Sequence, residues 1–523
     1  MGKETDIKFT IANSVEEKYE INEEERLFNV YEKAHLMKER LSEQKGNLQN
    51  ASLYVKKEIN EIKNEWPVLF GNLLPYKFFV HVDLDSYFAS VETLLNPALK
   101  NVPLGVGSTV MIAACNYKAR EFNVKAGMPG YHAMKLCPHL VITPCQYKKY
   151  NYYSEIIMEI LSCYDKEIEI YGIDEACLVF TEEKLKKAFD FYNNDSKNGK
   201  DVNSEKLVYE EFNIKAVDQL VQKIRKIIFR NTKLTISAGI SICRGFAKFA
   251  SNYNKPDGQF FIEKSIDSYI LDLPVDKING IGKMTKILLY KTLKISTVRE
   301  LRAKLSECAL MFTPKTFVNI LRLSFGLSVF DTQANARSKG HKIKSVGNSY
   351  TIKKTIDYKE VLQHLWEISE SVAKRMERSN YMGTTVTLIL KHSNFKQNTR
   401  QKKLNQPVNN QIDIFEISIE LLHANFVVQE NSGVKIMNDE IRMLGISVGN
   451  LIDKNSLNCI ENYMVKNSIQ INPRECFLCN QQFLHESKTV FESHVNNCVN
   501  KIEQEEKEAK KKITNYIKRS NCN

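Results

Sequence analysis

Apolar positions along this chain fall into short continuous runs and into a helical spacing. As a short apolar run, Phe78-Phe79-Val80-His81-Val82 predicts a strand, as do the strand-like stretches 168–180, 345–352, 384–391 and 441–448. With a helical period, Leu27, Val30, Tyr31, Ala34 and Met37 share one face of a charged segment nearly free of glycine and proline before Pro67, which reads as a solvated helical arm. Residues 267–336 also read as helices, and 413–421 fit a strand or a helix. The stretch 192–206 is rich in Asn, Asp, Ser and Lys and reads as a disordered surface loop. Strands mixed with helices over 523 residues predict a multidomain α+β protein.

The residues that break this pattern carry the candidate chemistry. Asp83 and Asp85 close an apolar run and, two apart on a strand, project to the same side. Asp174 and Glu175 sit in a second such setting, Glu169-Ile170-Tyr171-Gly172-Ile173-Asp174-Glu175-Ala176. Clustered carboxylates repel one another unless a cation lies among them. Hard oxygen ligands select magnesium or manganese, and two such ions about 4 Å apart are the usual machinery for in-line displacement at phosphorus.

The wording around these acids is more specific. His81-Val82-Asp83-Leu84-Asp85-Ser86-Tyr87-Phe88-Ala89-Ser90-Val91-Glu92 resembles the opening motif of the Y-family (translesion) DNA polymerases, and Gly172-Ile173-Asp174-Glu175-Ala176 resembles their second motif. Asn116-Tyr117-Lys118-Ala119-Arg120, followed by Ala126-Gly127-Met128-Pro129-Gly130, resembles their fingers segment. Gly239-Ile240-Ser241, Phe246-Ala247-Lys248 and Asn254-Lys255-Pro256-Asp257-Gly258-Gln259 resemble the last motif of their palm. The resemblance implies a clasp-like N-terminal extension over 1–76, a palm over 77–266 with small fingers inserted at about 86–146, a helical thumb over 267–336 and an α/β little finger over 337–452.

It also implies an activity: template-directed DNA synthesis in lesion bypass, of low fidelity and without proofreading, by a monomer acting on primed template DNA and deoxynucleoside triphosphates. Asp83, Asp174 and Glu175, with the Leu84 carbonyl, would hold two Mg2+ (or Mn2+), and Asp85 would support them. Tyr117, Arg120 and Lys255 would clamp the triphosphate, Phe88 would exclude a ribose 2′-hydroxyl, and Tyr87 would line the nucleotide site. Gly280, Gly282 and Lys283 resemble the hairpin of a helix-hairpin-helix, while Lys342, Lys344, Lys396 and Arg400 would track phosphates. The chain departs from the family's wording at Gly172 and Cys177, where a serine and a tyrosine are usual. An eta-, iota- or bacterial-type member is the alternative, or a non-catalytic adaptor that binds DNA, sliding clamp and ubiquitin.

The C-terminal part holds an independent signal. Cys476-x2-Cys479, fourteen intervening residues and His494-x3-Cys498 can close on one tetrahedral Zn2+ in a module over 473–501, with a helix over 486–498 and Phe483 and Phe491 as its small core. The module resembles a ubiquitin-binding zinc finger, although Asn496 stands where that type commonly has an aspartate. In the basic tail 502–523, Ile513, Tyr516 and Ile517 resemble a relaxed sliding-clamp-binding motif, so a clamp, ubiquitinated or not, is an expected partner.

Composition fits this picture. An excess of 74 Lys+Arg over 62 Asp+Glu favours a polyanionic partner. Content of 43% apolar and 26% charged residues excludes a wholly disordered chain. No run of about 18 apolar residues predicts a membrane span. Twelve mostly isolated cysteines suit a reducing compartment, which for a DNA polymerase with this tail points to the nucleus.

Overall fold

The apolar run after Tyr76 forms the strand Lys77–Leu84, at the centre of a five-stranded sheet. The computed structural model describes residues 26–71, 75–198, 207–262, 266–328, 331, 343–426, 428–431, 434–454, 474–475, 479, 481–483 and 493–498, and it divides into two units, 1–339 and 340–523. Across the first unit's sheet the order is Glu169–Ile170, Glu175–Thr181, Lys77–Leu84, Ile236–Ser241, Gln259–Phe261. Only the last two strands pair in parallel. The strand expected over 168–180 is thus two strands, broken by the turn that carries Asp174.

Alternation sets what each face does. Phe78, Val80, Val82 and Leu84 join Leu178, Phe180, Ile236 and Ile240 in a core that also takes residues from helices Tyr147–Tyr164 and Ile214–Thr232. Phe79, His81 and Asp83 alternate with them, and Phe79 packs in a second core with Phe246, Ala247 and Ala250 of helix Arg244–Ser251. Gly239 permits that close approach: a Cβ there would lie 2.0 Å from the Ala247 oxygen and 2.1 Å from the Ser251 nitrogen. Gly239→Ala is expected to displace the helix and to cost on the order of 1–3 kcal/mol, read as a lower urea midpoint at unchanged m-value.

A three-stranded sheet, Ile112–Cys115, Leu104–Gly107 and Val141–Thr143, carries the short helices Tyr117–Glu121 and Gly130–Leu136 around a small core of Ile112, Ala119, Val124 and Ala133. The helical stretch after 267 contains the glycine hairpin, with Gly280 at φ +112° and Lys283 opening helix Lys283–Leu293. The element just before the hairpin is a three-residue 3-10 turn, Val275–Lys277.

Two expectations are corrected here. The N-terminal segment is helical over 26–43 and Leu48–Glu65, but it is not solvated throughout. Val55 and Ile62 are buried, Tyr54 meets Phe317 with ring centroids 5.6 Å apart, and Arg322 Nη1 donates to Glu65 Oε2 at 2.7 Å. The loop expected from Tyr192 onward instead begins as the end of helix Glu182–Asn198, because Tyr192 is buried in the main core. Residues 199–206 lie outside the described residues.

The second unit is built on a five-stranded sheet whose pairs are all antiparallel. Val434–Asp453 pairs along one edge with Ser345–Asp357 and along the opposite edge with Val428–Asn431 near its start and Tyr381–His392 over its later part, and Gln397–Val408 lies beyond Tyr381–His392. Helices Tyr358–Arg378 and Gln411–Asn425 contribute Trp366, Val372, Phe415 and Leu422 to its core, together with Val386, Leu388 and Ile446 of the sheet. The ambiguous 413–421 is therefore helix. Among the described residues no helix is long and apolar enough to cross a membrane.

Candidate active site

Pairing in the first sheet brings the predicted acids together from segments far apart in the chain. Asp83 sits opposite Glu175 in the register, and Leu84 N donates to the Asp174 carbonyl at 2.9 Å. Ligand atoms of His81, Asp83 and Glu175 lie within 4.8 Å of one another, close enough to surround one ion. Burial pushes the Asp83 and Asp174 carboxyls up from their ordinary range, and the neighbouring Glu175 charge raises Asp174 further. Such a cluster calls for cationic charge, and two lysines supply it: Lys255 Nζ donates to Asp83 Oδ1 and Lys248 Nζ to Glu175 Oε2. Hard oxygens, mutual repulsion and dependence on compensating charge fit a divalent-cation site.

Asp85 has a different position from the other acids. It is 3% exposed, its Oδ1 accepts from Ser237 Oγ at 2.7 Å and its Oδ2 from Asp257 N at 2.8 Å. Its carboxylate is thus bonded to a neighbouring strand and to the loop that carries Lys255.

Asn116 caps helix Tyr117–Glu121 by accepting from Ala119 N at 2.9 Å, and it also ties the helix to its sheet by accepting from Leu104 N at 3.0 Å. On that helix the Arg120 guanidinium lies 4.8 Å from the Tyr117 ring centroid. The Tyr117 hydroxyl is buried without a hydrogen-bond partner, and burial, then the Asp85 charge, pushes its pKa up. A buried phenol held as a donor beside an exposed guanidinium suits an anionic ligand.

Phe88 stacks on Tyr150 with centroids 4.2 Å apart and planes 11° apart, and it meets Tyr147 edge-on at 5.7 Å. Tyr150 is fixed in turn by donating to Glu92 Oε1 at 2.6 Å, while Gln146 Nε2 donates to Glu92 Oε2 at 2.8 Å. Tyr87 departs from expectation: it is 3% exposed, its hydroxyl donates to the Tyr150 carbonyl, and its ring belongs to the core. Its side chain packs and is not available to a nucleotide.

Two residues near the acids had no assigned role in the sequence reading. His81 is 1% exposed, stacks on Tyr171 with centroids 6.0 Å apart, and holds Nε2 3.9 Å from Glu175 Oε2. Burial, then the charges of Lys248 and Lys255, lower its pKa to about 3, so it is neutral at physiological pH. Its spacing two before Asp83 on a strand was the available signal. Lys248 stood in the sequence as the last residue of the Phe246-Ala247-Lys248 motif, with no role attached to it.

The remaining candidates lie elsewhere. Lys344, Lys396 and Arg400 are exposed in the second unit, Lys396 and Arg400 at and on the edge strand Gln397–Val408, and Lys342 lies outside the described residues. Cys479 Sγ is 3.1 Å and Cys498 Sγ 3.4 Å from His494 Nε2, and the three ligand atoms lie within 4.8 Å of one another. Cys476, Phe491, Ile513, Tyr516 and Ile517, and the side chain of Phe483, lie outside the described residues.

Comparison with known proteins agrees with this arrangement. Residues 82–252 match the impB/mucB/samB family, and residues 343–458 match the impB/mucB/samB family C-terminal domain. DNA polymerase kappa of Caenorhabditis elegans is 30% identical over 482 residues, which cover 82% of this chain and 78% of that protein. DNA polymerase kappa of Arabidopsis thaliana is 29% identical over 441 residues, covering 84% of this chain and 58% of that protein. The fold is shared with a solved Y-family DNA polymerase chimera at a TM-score of 0.56 and 24% identity, over 72% of this chain and 99% of that one. With its acids, its sheet and these relatives in agreement, the chain belongs to the Y family of DNA polymerases.

Proposed function

We propose that this chain is a kappa-type translesion polymerase that extends a primer on damaged template DNA by metal-dependent nucleotidyl transfer. The observation that carries this reading is the pairing of Asp83 with Glu175, each bonded to a lysine, with Asp174 in the turn that leads into Glu175 and its carbonyl accepting from Leu84 N. In this reading the first sheet is the palm, residues 86–146 the fingers, 267–336 the thumb and 337–452 the little finger. Asp83, Asp174 and Glu175 would hold two divalent ions, which when bound supply the charge that activates a primer 3′-hydroxyl and offsets a triphosphate.

The chain's own residues do the rest. Tyr117 and Arg120 donate to phosphate oxygens from one helix, and Lys255, freed from Asp83, adds a third donor. Phe88, fixed by Tyr150 and Tyr147, blocks the space a 2′-hydroxyl needs. Lys283 at the Gly280 hairpin and the exposed Lys396 and Arg400 contact DNA phosphates without reading sequence. A Zn2+ held by Cys479, His494, Cys498 and Cys476 stabilises the C-terminal module. The tail, through Ile513, Tyr516 and Ile517, recruits the enzyme to a sliding clamp in the nucleus.

The test is extension of a primed template bearing a lesion, with magnesium and the four deoxynucleotides. Addition of nucleotides opposite and past the lesion is the expected result. Binding of primed DNA without extension of either damaged or intact template would replace this reading with the non-catalytic adaptor.

A further inference from the structure

The zinc-ligand helix 493–498 presents two kinds of residue. His494 and Cys498, four apart, face the cysteine Cys479. Val495 and Asn496 face the second unit itself. Val495 is 0% exposed and belongs to the same apolar cluster as Leu365, Trp366 and Phe415, against which Cys498 also packs. Asn496 Oδ1 accepts from the Trp366 indole Nε1 at 3.0 Å. Trp366 is 2% exposed, meets Phe415 edge-on with centroids 5.0 Å apart, and its carbonyl accepts from Gln411 Nε2 at 3.2 Å.

We propose that the surface around Trp366 is the docking site for this chain's own zinc-ligand helix, so that the Cys/His module is a metal-dependent fastener of the second unit and not a free arm. Metal binding and docking are linked through one helical turn. A six-residue helix has too little core to hold itself, so its ligands keep their geometry through the metal or through docking. Here one turn serves both needs, and each reinforces the other. Losing the metal frees the helix, withdraws Val495 from the cluster and exposes Trp366, whose indole N–H exchanges its Asn496 acceptor for water. Asn496 thereby acquires a role: a neutral amide oxygen satisfies the indole without bringing a charge into the apolar seam. Any protein that used the Val495–Asn496 face would first have to displace it from Trp366.

This inference rests on the reading of Cys479, His494 and Cys498 as zinc ligands, and the experiment separates the two. The chain has two tryptophans, Trp66 and Trp366, so full-length Trp66→Phe protein leaves Trp366 as the sole reporter. Zinc content is measured by elemental analysis, and Trp366 emission and acrylamide quenching are recorded before chelation, after chelation and after zinc is restored. One bound zinc, with a reversible red shift and at least two-fold stronger quenching on its removal, is the expected result. Val495→Asp, which spares every ligand, should produce the same exposure of Trp366 with zinc still bound. Stoichiometric zinc with Trp366 unaffected by chelation and by Val495→Asp would overturn the docking. A protein that binds no zinc would overturn the ligand reading, and the linkage with it.

Discussion

Replacing Glu175 by alanine is expected to lower primer extension roughly a thousand-fold, about 4 kcal/mol of transition-state stabilisation, while the fold stays intact. Glu175 begins its strand directly opposite Asp83, so its loss removes one carboxylate from a constellation that neighbouring backbone pairs hold in place. The remaining Asp83 and Asp174 would retain part of the cation affinity but not its geometry. Thermal stability should change little: Glu175 raises the pKa of Asp174, and relief of that repulsion offsets the lost contact with Lys248. The readouts are single-turnover extension and a thermal melt, together with Mn2+ affinity by calorimetry. Wild-type extension rates in a folded Glu175→Ala protein would remove the metals from this site.

The same residues show what could be read without coordinates. The apolar run over 78–82 gave the central strand, and the acids at its end gave the site, because a polar cluster closing such a run has no packing purpose. What the sequence reading could not supply was register. Only the pairing of Asp83 with Glu175 brings His81 within 3.9 Å of that carboxylate, and only a close helix over Gly239 delivers Lys248.

Composition misled where tertiary contacts outweigh it. Asn- and Asp-rich residues after Tyr192 looked like loop, yet Tyr192 is buried, and Asn193 anchors the helix by accepting from Leu207 N at 2.9 Å. The edge strand Gln397–Val408 escaped notice for the opposite reason. Its residues are nearly all polar and exposed or half-exposed, so it carries no hydrophobic alternation, and its pairing with Tyr381–His392 is a backbone property. Helix Leu48–Glu65 carries Ala51, Val55, Ile59 and Ile62 at helical spacing, a face that the charge of the segment around it obscures. Identity of the site was legible from local wording; the groups that hold it were not.

Phe88→Ala is expected to reduce discrimination between deoxy- and ribonucleotides about a hundred-fold, close to 2.7 kcal/mol, with deoxynucleotide incorporation reduced far less. The size of the effect follows from how the ring is held. Phe88 lies flat on Tyr150 at 4.2 Å and edge-on to Tyr147, and Tyr150 is bonded to the buried Glu92, so the ring cannot swing aside to admit an extra hydroxyl. A flexible ring would yield to a 2′-oxygen at little cost, whereas a buttressed one converts overlap into repulsion. Phe88→Tyr keeps the ring and should keep the discrimination, which separates steric exclusion from any loss of stability. Weakening the support should act in the same direction but less strongly: Tyr147→Ala removes one wall of the ring's seat and leaves Phe88 itself. The measurement is kcat/KM for a matched deoxy- and ribonucleoside triphosphate with each variant. An unchanged ratio in a Phe88→Ala enzyme that still incorporates deoxynucleotides would assign sugar selection to another residue.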